Sequence, residues 1–255
     1  MRIALVQTRA AGLDTLETAA EEAAARGARL LVTPELSLTG YALGDRVAER
    51  AEPADGPGAA EVSRIAKKNG LALAYGYPEC GERGAVHNAV QLIGPEGEAL
   101  ANYRKTHLYG AYEAEHYTPG HQLPVQAELD GLRVGLLICY DVEFPEAVRA
   151  HALAGTDLLL VPTALMRPYD AVAHTLVPAR ALESQLYVAY ANRTGREGEF
   201  DFAGLSGLAA PDGTVPVRAG REETLLVTDA DLALLRASRE RNPYLADRRP
   251  ELYPA

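Results

Sequence analysis

The chain has 255 residues, of which 47% are hydrophobic, enough for one large core in a single domain spanning 1–255. Its 35 acidic and 25 basic residues give a net charge of -10, and no Lys/Arg run is long enough to form a phosphate-binding stripe, which argues against a nucleic-acid partner. With no stretch of ~18 consecutive apolar residues, no signal-peptide pattern at the N-terminus and two widely separated cysteines, Cys80 and Cys139, the expectation is a cytoplasmic protein with free thiols and no membrane association.

Short apolar strands alternate with Ala-rich helical stretches along the whole chain. A strand over 3–7 precedes a helix over 14–26 that has Leu16, Ala19, Ala20 and Ala23 on one face. The next strand, 30–33, runs into Pro34-Glu35 and on to Gly40-Tyr41. Glu52-Pro-Ala-Asp-Gly-Pro-Gly58 reads as a loop, too short to link domains. A helix over 59–68, a strand over 71–77 and hairpin-like strands over 85–93 and 99–103 follow. The spacing then predicts a strand over 134–139, a helix over 146–154 opening after Pro145 with acid in its first turn, and a strand over 158–161. A helix over 171–184 and a strand over 187–192 come next; late strands over 202–209 and 224–228 precede a helix over 230–239. This alternation indicates an α/β sandwich with its chemistry at strand ends.

Three segments share one design. Gly135-Leu-Leu-Ile-Cys139-Tyr-Asp141-Val-Glu143-Phe-Pro145-Glu146 ends an apolar strand on a thiol and turns acidic at once. Arg29-Leu-Leu-Val-Thr-Pro34-Glu35 delivers a carboxylate directly after a proline, and Asn102-Tyr103-Arg104-Lys105 ends a strand on a lysine, with Glu113 shortly after. Singly, each has an ordinary reading: a lone cysteine is usually a small buried hydrophobe, and a Glu or Lys just past a strand is usually solvated. Jointly, Glu, Lys and Cys at three strand ends form a pattern that chance rarely gives.

That pattern resembles the nitrilase superfamily of carbon-nitrogen hydrolases, and the likeness runs from Arg2-Ile-Ala-Leu-Val-Gln7 to Arg248-Arg-Pro-Glu-Leu-Tyr253. Within it, Cys139-Tyr-Asp-Val-Glu-Phe-Pro-Glu146, Tyr75-Gly-Tyr-Pro-Glu79 and Val161-Pro-Thr-Ala164 look most like the aliphatic amidase branch that includes 5-aminopentanamidase and R-stereoselective amidases. The resemblance implies an α-β-β-α sandwich of two sheets, extended on dimerisation. It assigns Glu35 as general base, Lys105 as catalytic lysine, Cys139 as nucleophile and Glu113 as the second glutamate that positions substrate and Lys105. No cofactor and no metal is implied, and the expected partners are a small-molecule amide and a second copy of the chain. The dimer is expected through the helices at 146–154 and 171–184 and the tail 242–253.

These residue types suit amide hydrolysis. A carboxamide needs a strong nucleophile, a held oxyanion and a protonated leaving nitrogen. Lys105 favours the thiolate while Glu35 accepts its proton, and Lys105 with the Tyr140 N–H forms the oxyanion hole. Substrate contacts are expected from Glu143, Tyr41 and Ala164. Glu143 stands where relatives that act on carboxylate-bearing substrates tend to carry Arg, so the expectation is a cationic or neutral ω-substituted amide. The alternative is that Glu143 caps its helix or pairs with Arg149.

Other motifs are weak. Gly204-Leu-Ser206-Gly207-Leu208 lacks the second glycine of a serine nucleophile elbow, and His87, His107, His116, His121, His151 and His174 show no metal spacing. His107 reads as a structural hydrogen-bonding residue, and Glu115 as solvated. The rival functions are a nitrilase or N-carbamoyl amine amidohydrolase on the same fold, and a non-catalytic thiol or binding module.

Overall fold

The structure is a computed structural model that describes residues 1–253. In chain order its elements are β1 (Arg2–Gln7), α1 (Leu13–Ala25), β2 (Leu30–Val32), α2 (Val47–Arg50), α3 (Pro57–Asn69), β3 (Ala72–Cys80), β4 (Val86–Ile93), β5 (Ala99–Arg104), α4 (Gly110–His116), β6 (Gln126–Leu129) and β7 (Leu132–Leu136). There follow α5 (Pro145–Leu153), β8 (Leu158–Thr163), α6 (Val177–Ser184), β9 (Tyr187–Asn192), β10 (Thr194–Glu197), β11 (Phe200–Ala203), β12 (Gly207–Ala209), β13 (Val217–Arg218), β14 (Thr224–Asp229) and α7 (Leu232–Arg241). The strands form two six-stranded sheets, in the orders β14-β1-β2-β3-β4-β5 and β13-β12-β9-β8-β7-β6, with β10 and β11 as a separate hairpin. Among the described residues no helix is long and apolar enough to cross a membrane.

The period-2 alternation of the strands decides the layering. In the first sheet Ile3, Leu5, Leu30, Val32, Ala72 and Ala74 join the core shared with the second sheet. Their neighbours Ala4, Val6, Leu31, Leu73 and Tyr75 point the other way, onto Leu16, Ala19, Ala20 and Ala23 of α1 and Val62, Ile65 and Ala66 of α3. Ala147, Val148 and Ala152 of α5 and Val177 and Ala181 of α6 pack with the second sheet. The result is helices, sheet, sheet, helices, each large apolar side chain contributing roughly 1.5–3 kcal/mol by leaving water.

Boundaries differ from expectation for local reasons. α3 begins at Pro57 rather than 59, because proline's fixed φ suits a first helical position. The helix expected over 171–184 is a π turn over Val172–Leu176 followed by α6, because Pro178 has no N–H to continue the ladder. The strand expected over 202–209 breaks into β11 and β12 at Gly204 and Leu205, both at positive φ. The last helix starts later, where the Asp231 side chain accepts the Ala233 N–H as an N-cap. α4 has no apolar periodicity and escapes a sequence reading altogether.

Candidate active site

Glu35 sits in the turn after β2. Its N–H donates to Thr163 O at the end of β8 (3.3 Å), so this turn bridges the two sheets. Gly76 makes room for it: a Cβ there would lie 2.4 Å from the Leu36 nitrogen. Behind the turn the buried Arg193 donates to the Glu35 carbonyl (3.3 Å) and pairs with Glu197 (3.0 Å). Glu197 in turn accepts the N–H groups of Tyr41 and Ala42.

Lys105 is the first residue past β5 and is wholly buried. Its Nζ donates to Glu35 Oε1 and to Glu113 Oε1, both at 2.7 Å. Glu35 Oε1 also accepts Asn88 Nδ2 (2.7 Å), whereas Glu35 Oε2 is buried with no partner among the described residues. Glu113, on α4, is held by the Tyr41 hydroxyl on Oε1 and the Tyr109 N–H on Oε2, each at 2.8 Å. Burial alone would drive Lys105 toward the neutral amine; Glu113 and Glu35 outweigh it and hold the ammonium well above its ordinary value. Burial pushes Glu35 up to about 7, with Lys105 opposing and Glu113 reinforcing the shift.

Cys139 does not end a strand as expected. β7 stops at Leu136, and Cys139 opens a one-turn 3₁₀ helix, Cys139–Glu143, at φ 46, a left-handed conformation that costs a non-glycine residue on the order of 1–3 kcal/mol. Burial, then the Glu35 charge, raise its pKa well above the ordinary value, against Lys105 and the Ala164 N–H. The first 3₁₀ bond runs from Asp141 N to Ile138 O (3.0 Å), which leaves the Tyr140 N–H ahead of the hydrogen-bonded ladder.

Cys139 lines a cavity of about 300 Å³ with Tyr109, Tyr140, Glu143, Ala164, Leu165, Met166 and Tyr169. A larger cavity, about 450 Å³, lies at His87, Asn102, Arg104 and His121, and none of the four expected catalytic groups lines it. Geometry thus brings Glu35, Lys105, Glu113 and Cys139 together at one end of both sheets, and places Tyr140, Glu143 and Ala164 in the cavity wall.

The carbon-nitrogen hydrolase family matches residues 2–240. The chain belongs to this family. It is 48% identical to a protein of Pseudomonas protegens described as "Hydrolase in pqqF 5'region", over 99% of this chain and 90% of that one. It is 39% identical to an (R)-stereoselective amidase of a Pseudomonas species, over 86% of this chain and 79% of that one. The solved structure of a Glu-to-Gln mutant of an amidase from Nesterenkonia sp. AN1 superposes with a TM-score of 0.88 at 38% identity, covering 99% of this chain and 95% of that one. In that structure the acetamide moiety of fluoroacetamide is attached covalently to the active-site cysteine. As a member of the nitrilase superfamily, this carbon-nitrogen hydrolase is an enzyme acting on C–N bonds.

Tyr41 lies away from the cavity, and the alternative role of Glu143 does not hold. Tyr41 is 1% exposed and stands behind Glu113, with its ring among Tyr112, Phe200 and Phe202, so its apolar neighbours keep it out of the cavity wall. Among the described residues, Glu143 neither caps α5, whose N-cap is Phe144, nor pairs with Arg149, which donates to the Glu183 carbonyl. Its carboxylate is half-buried in the wall, and burial raises its pKa against Lys105 and Arg180. Tyr109, Tyr169 and Met166 of the cavity, and Asn88 and Arg193 behind Glu35, carried no sequence signal: nothing in their local patterns marks which strand end they face. His107 makes structural contacts as expected, with Nδ1 at 2.9 Å from Asp141 Oδ1 and the ring stacked on Phe144, and Glu115 is exposed.

Proposed function

We propose that this hydrolase is a single-domain amidase that converts an aliphatic primary carboxamide to its acid and ammonia through a thioester on Cys139. The observation that carries the reading is the division of labour on Glu35: one oxygen neutralises Lys105, and the other is buried with no partner among the described residues, beside a thiol on which its charge acts. Glu35 takes the Cys139 proton as sulfur attacks the carbonyl carbon. The oxyanion is held by Lys105 and the Tyr140 N–H; losing one such donor costs roughly 3 kcal/mol. Glu35 returns the proton to nitrogen, the C–N bond breaks and ammonia leaves. Water, deprotonated by Glu35, then attacks the thioester, and the acid departs as Cys139 regains its proton. Glu113 keeps Lys105 charged and placed. The amidases among the relatives support amides over nitriles and N-carbamoyl amines, and a screen of the three classes for ammonia release tests this directly.

The substrate tail is cationic or neutral. Glu143 puts a carboxylate that is unpaired among the described residues beside Tyr109, Tyr140 and Tyr169 in the cavity wall, a setting that favours an ammonium or guanidinium over a carboxylate. The enzyme acts in the cytoplasm as a homodimer or an assembly of dimers, with α5, α6 and the tail at the interface. Leu153 at the end of α5 and Tyr244, Leu252 and Tyr253 in the tail are each about half exposed, apolar surface that a second copy would cover. A stable, active monomer by light scattering at micromolar concentration would contradict the dimer.

A further inference from the structure

Asp141, two residues after the nucleophile, is wholly buried and does not line the cavity. Its carboxylate nevertheless collects five polar contacts within 3.0 Å. Oδ2 accepts the Tyr103 hydroxyl (2.9 Å) and the Ile138 N–H (3.0 Å). Oδ1 accepts the Thr106 hydroxyl (3.0 Å) and the His107 N–H (2.9 Å), and faces His107 Nδ1 at 2.9 Å, which selects the tautomer with its proton on Nδ1. Tyr103, Thr106 and His107 flank Lys105. Ile138 and Asp141 itself flank Cys139. One carboxylate therefore ties the segment that carries the ammonium to the strained turn that carries the thiol, and its bond to the Ile138 N–H closes that turn around the positive φ of Cys139.

A second line of contact leads the same way. The His107 ring stacks on Phe144, with centroids 4.0 Å apart, and Phe144 meets the Tyr140 ring edge-on at 4.9 Å. Tyr140 is the residue whose N–H is assigned to the oxyanion. The groups bonded to Asp141 thus bear on the sulfur, the ammonium and the oxyanion donor without touching the space a substrate would occupy.

We propose that Asp141 is a positioning residue that fixes the separation of Lys105 Nζ and Cys139 Sγ. This rests on the amidase reading of the site, and concerns how the site is aligned rather than what it binds. The chemistry of the substitution makes it testable. An asparagine offers one accepting oxygen and one donating amide. With its oxygen toward Thr106 and His107, the amide opposes the Ile138 N–H, which cannot rotate away; flipped, it opposes the His107 N–H. No orientation serves both segments, so Asp141→Asn uncouples them while nearly preserving shape.

The test compares the full-length parent and Asp141→Asn by amide kinetics and by iodoacetamide alkylation, followed at each cysteine by mass spectrometry. Cys80, which is exposed, is the internal reference. The expected result is a kcat lower by about 30-fold with KM within about twofold, since small misalignments in a preorganised site cost up to two orders of magnitude. Cys139 alkylation relative to Cys80 should slow by about 10-fold, because the sulfur is no longer aligned with the ammonium. The alkylation readout does not depend on the amide assignment, so a wrong substrate class and a wrong role for Asp141 are told apart. Parental kcat and parental Cys139 alkylation in folded Asp141→Asn would overturn the proposal. If that variant does not fold, Thr106→Val, which removes one donor on the lysine side, should lower kcat by about fivefold at unchanged KM, a typical loss for one hydrogen bond; parental kcat there would overturn it equally.

Discussion

Lys105 lies at 2.7 Å from Glu35 Oε1, and Asn88 donates to that same oxygen. The opposite oxygen of Glu35 therefore stays free among the described residues, and its basicity is what the proposed proton transfer uses. Glu35 can accept the thiol proton only when ionised, and burial pushes its pKa up to about 7. The expected outcome is a kcat/KM that falls as pH drops below about 7. Asn88→Ala removes a donor that favours the carboxylate, so it should move this limb to higher pH. A limb that stays in place in Asn88→Ala would separate it from Glu35.

Tyr41→Phe deletes the hydroxyl that Glu113 accepts while keeping the ring that packs against Phe200 and Phe202. Turnover should drop by about 10- to 100-fold, the value of one hydrogen bond to a charged group, with little change in KM, since the ring lies outside the cavity. A rise in KM alone would return Tyr41 to substrate contact.

Glu143→Gln removes the charge in the cavity wall without changing its size. In the parent, kcat/KM should rank a cationic-tailed amide above its neutral and anionic matches; the variant should lose about 10-fold on the cation and gain on the anion, as one largely screened charge contact would give. An unchanged ranking would take Glu143 out of recognition.

His151 is buried against the second sheet, and burial lowers its pKa from 6.5 to about 4. Below pH 6.5 the unfolded chain takes up a proton that the native state refuses, so stability is lost as pH falls toward 4, by about 3 kcal/mol in all. Glu35, shifted upward, works with the opposite sign in part of that window. The difference in urea unfolding free energy between the parent and His151→Gln isolates the histidine: it should shrink as pH is lowered from 6.5 to 4. A pH-independent difference would mean that His151 is protonated in the fold.

The principal strands and the positions of Glu35, Lys105 and Cys139 were legible because they rest on local pattern. Alternation and apolar runs placed the principal strands, and Glu35, Lys105 and Cys139 each follow one. Glu113 was legible only through resemblance, since α4 is short and unpatterned. The cavity wall was not legible: Tyr109 comes from one loop and Met166 and Tyr169 from another, and their meeting depends on the packing of the two sheets. The positive φ at Cys139 was hidden too, because a strand reading carries the apolar run straight through Ile138 to the thiol, whereas hydrogen bonding to Asp141 ends the strand early.

Cys139 is proposed to carry the acyl group, and ammonia release by Cys139→Ala tests this. The substitution removes the sulfur and little buried volume, so the variant should fold with a parental Tm and lose turnover by about 10⁴-fold or more, as loss of a covalent nucleophile does. Cys80→Ala, assayed alongside, should keep the parental rate. Ammonia release by folded Cys139→Ala at near-parental rate would contradict the thioester mechanism.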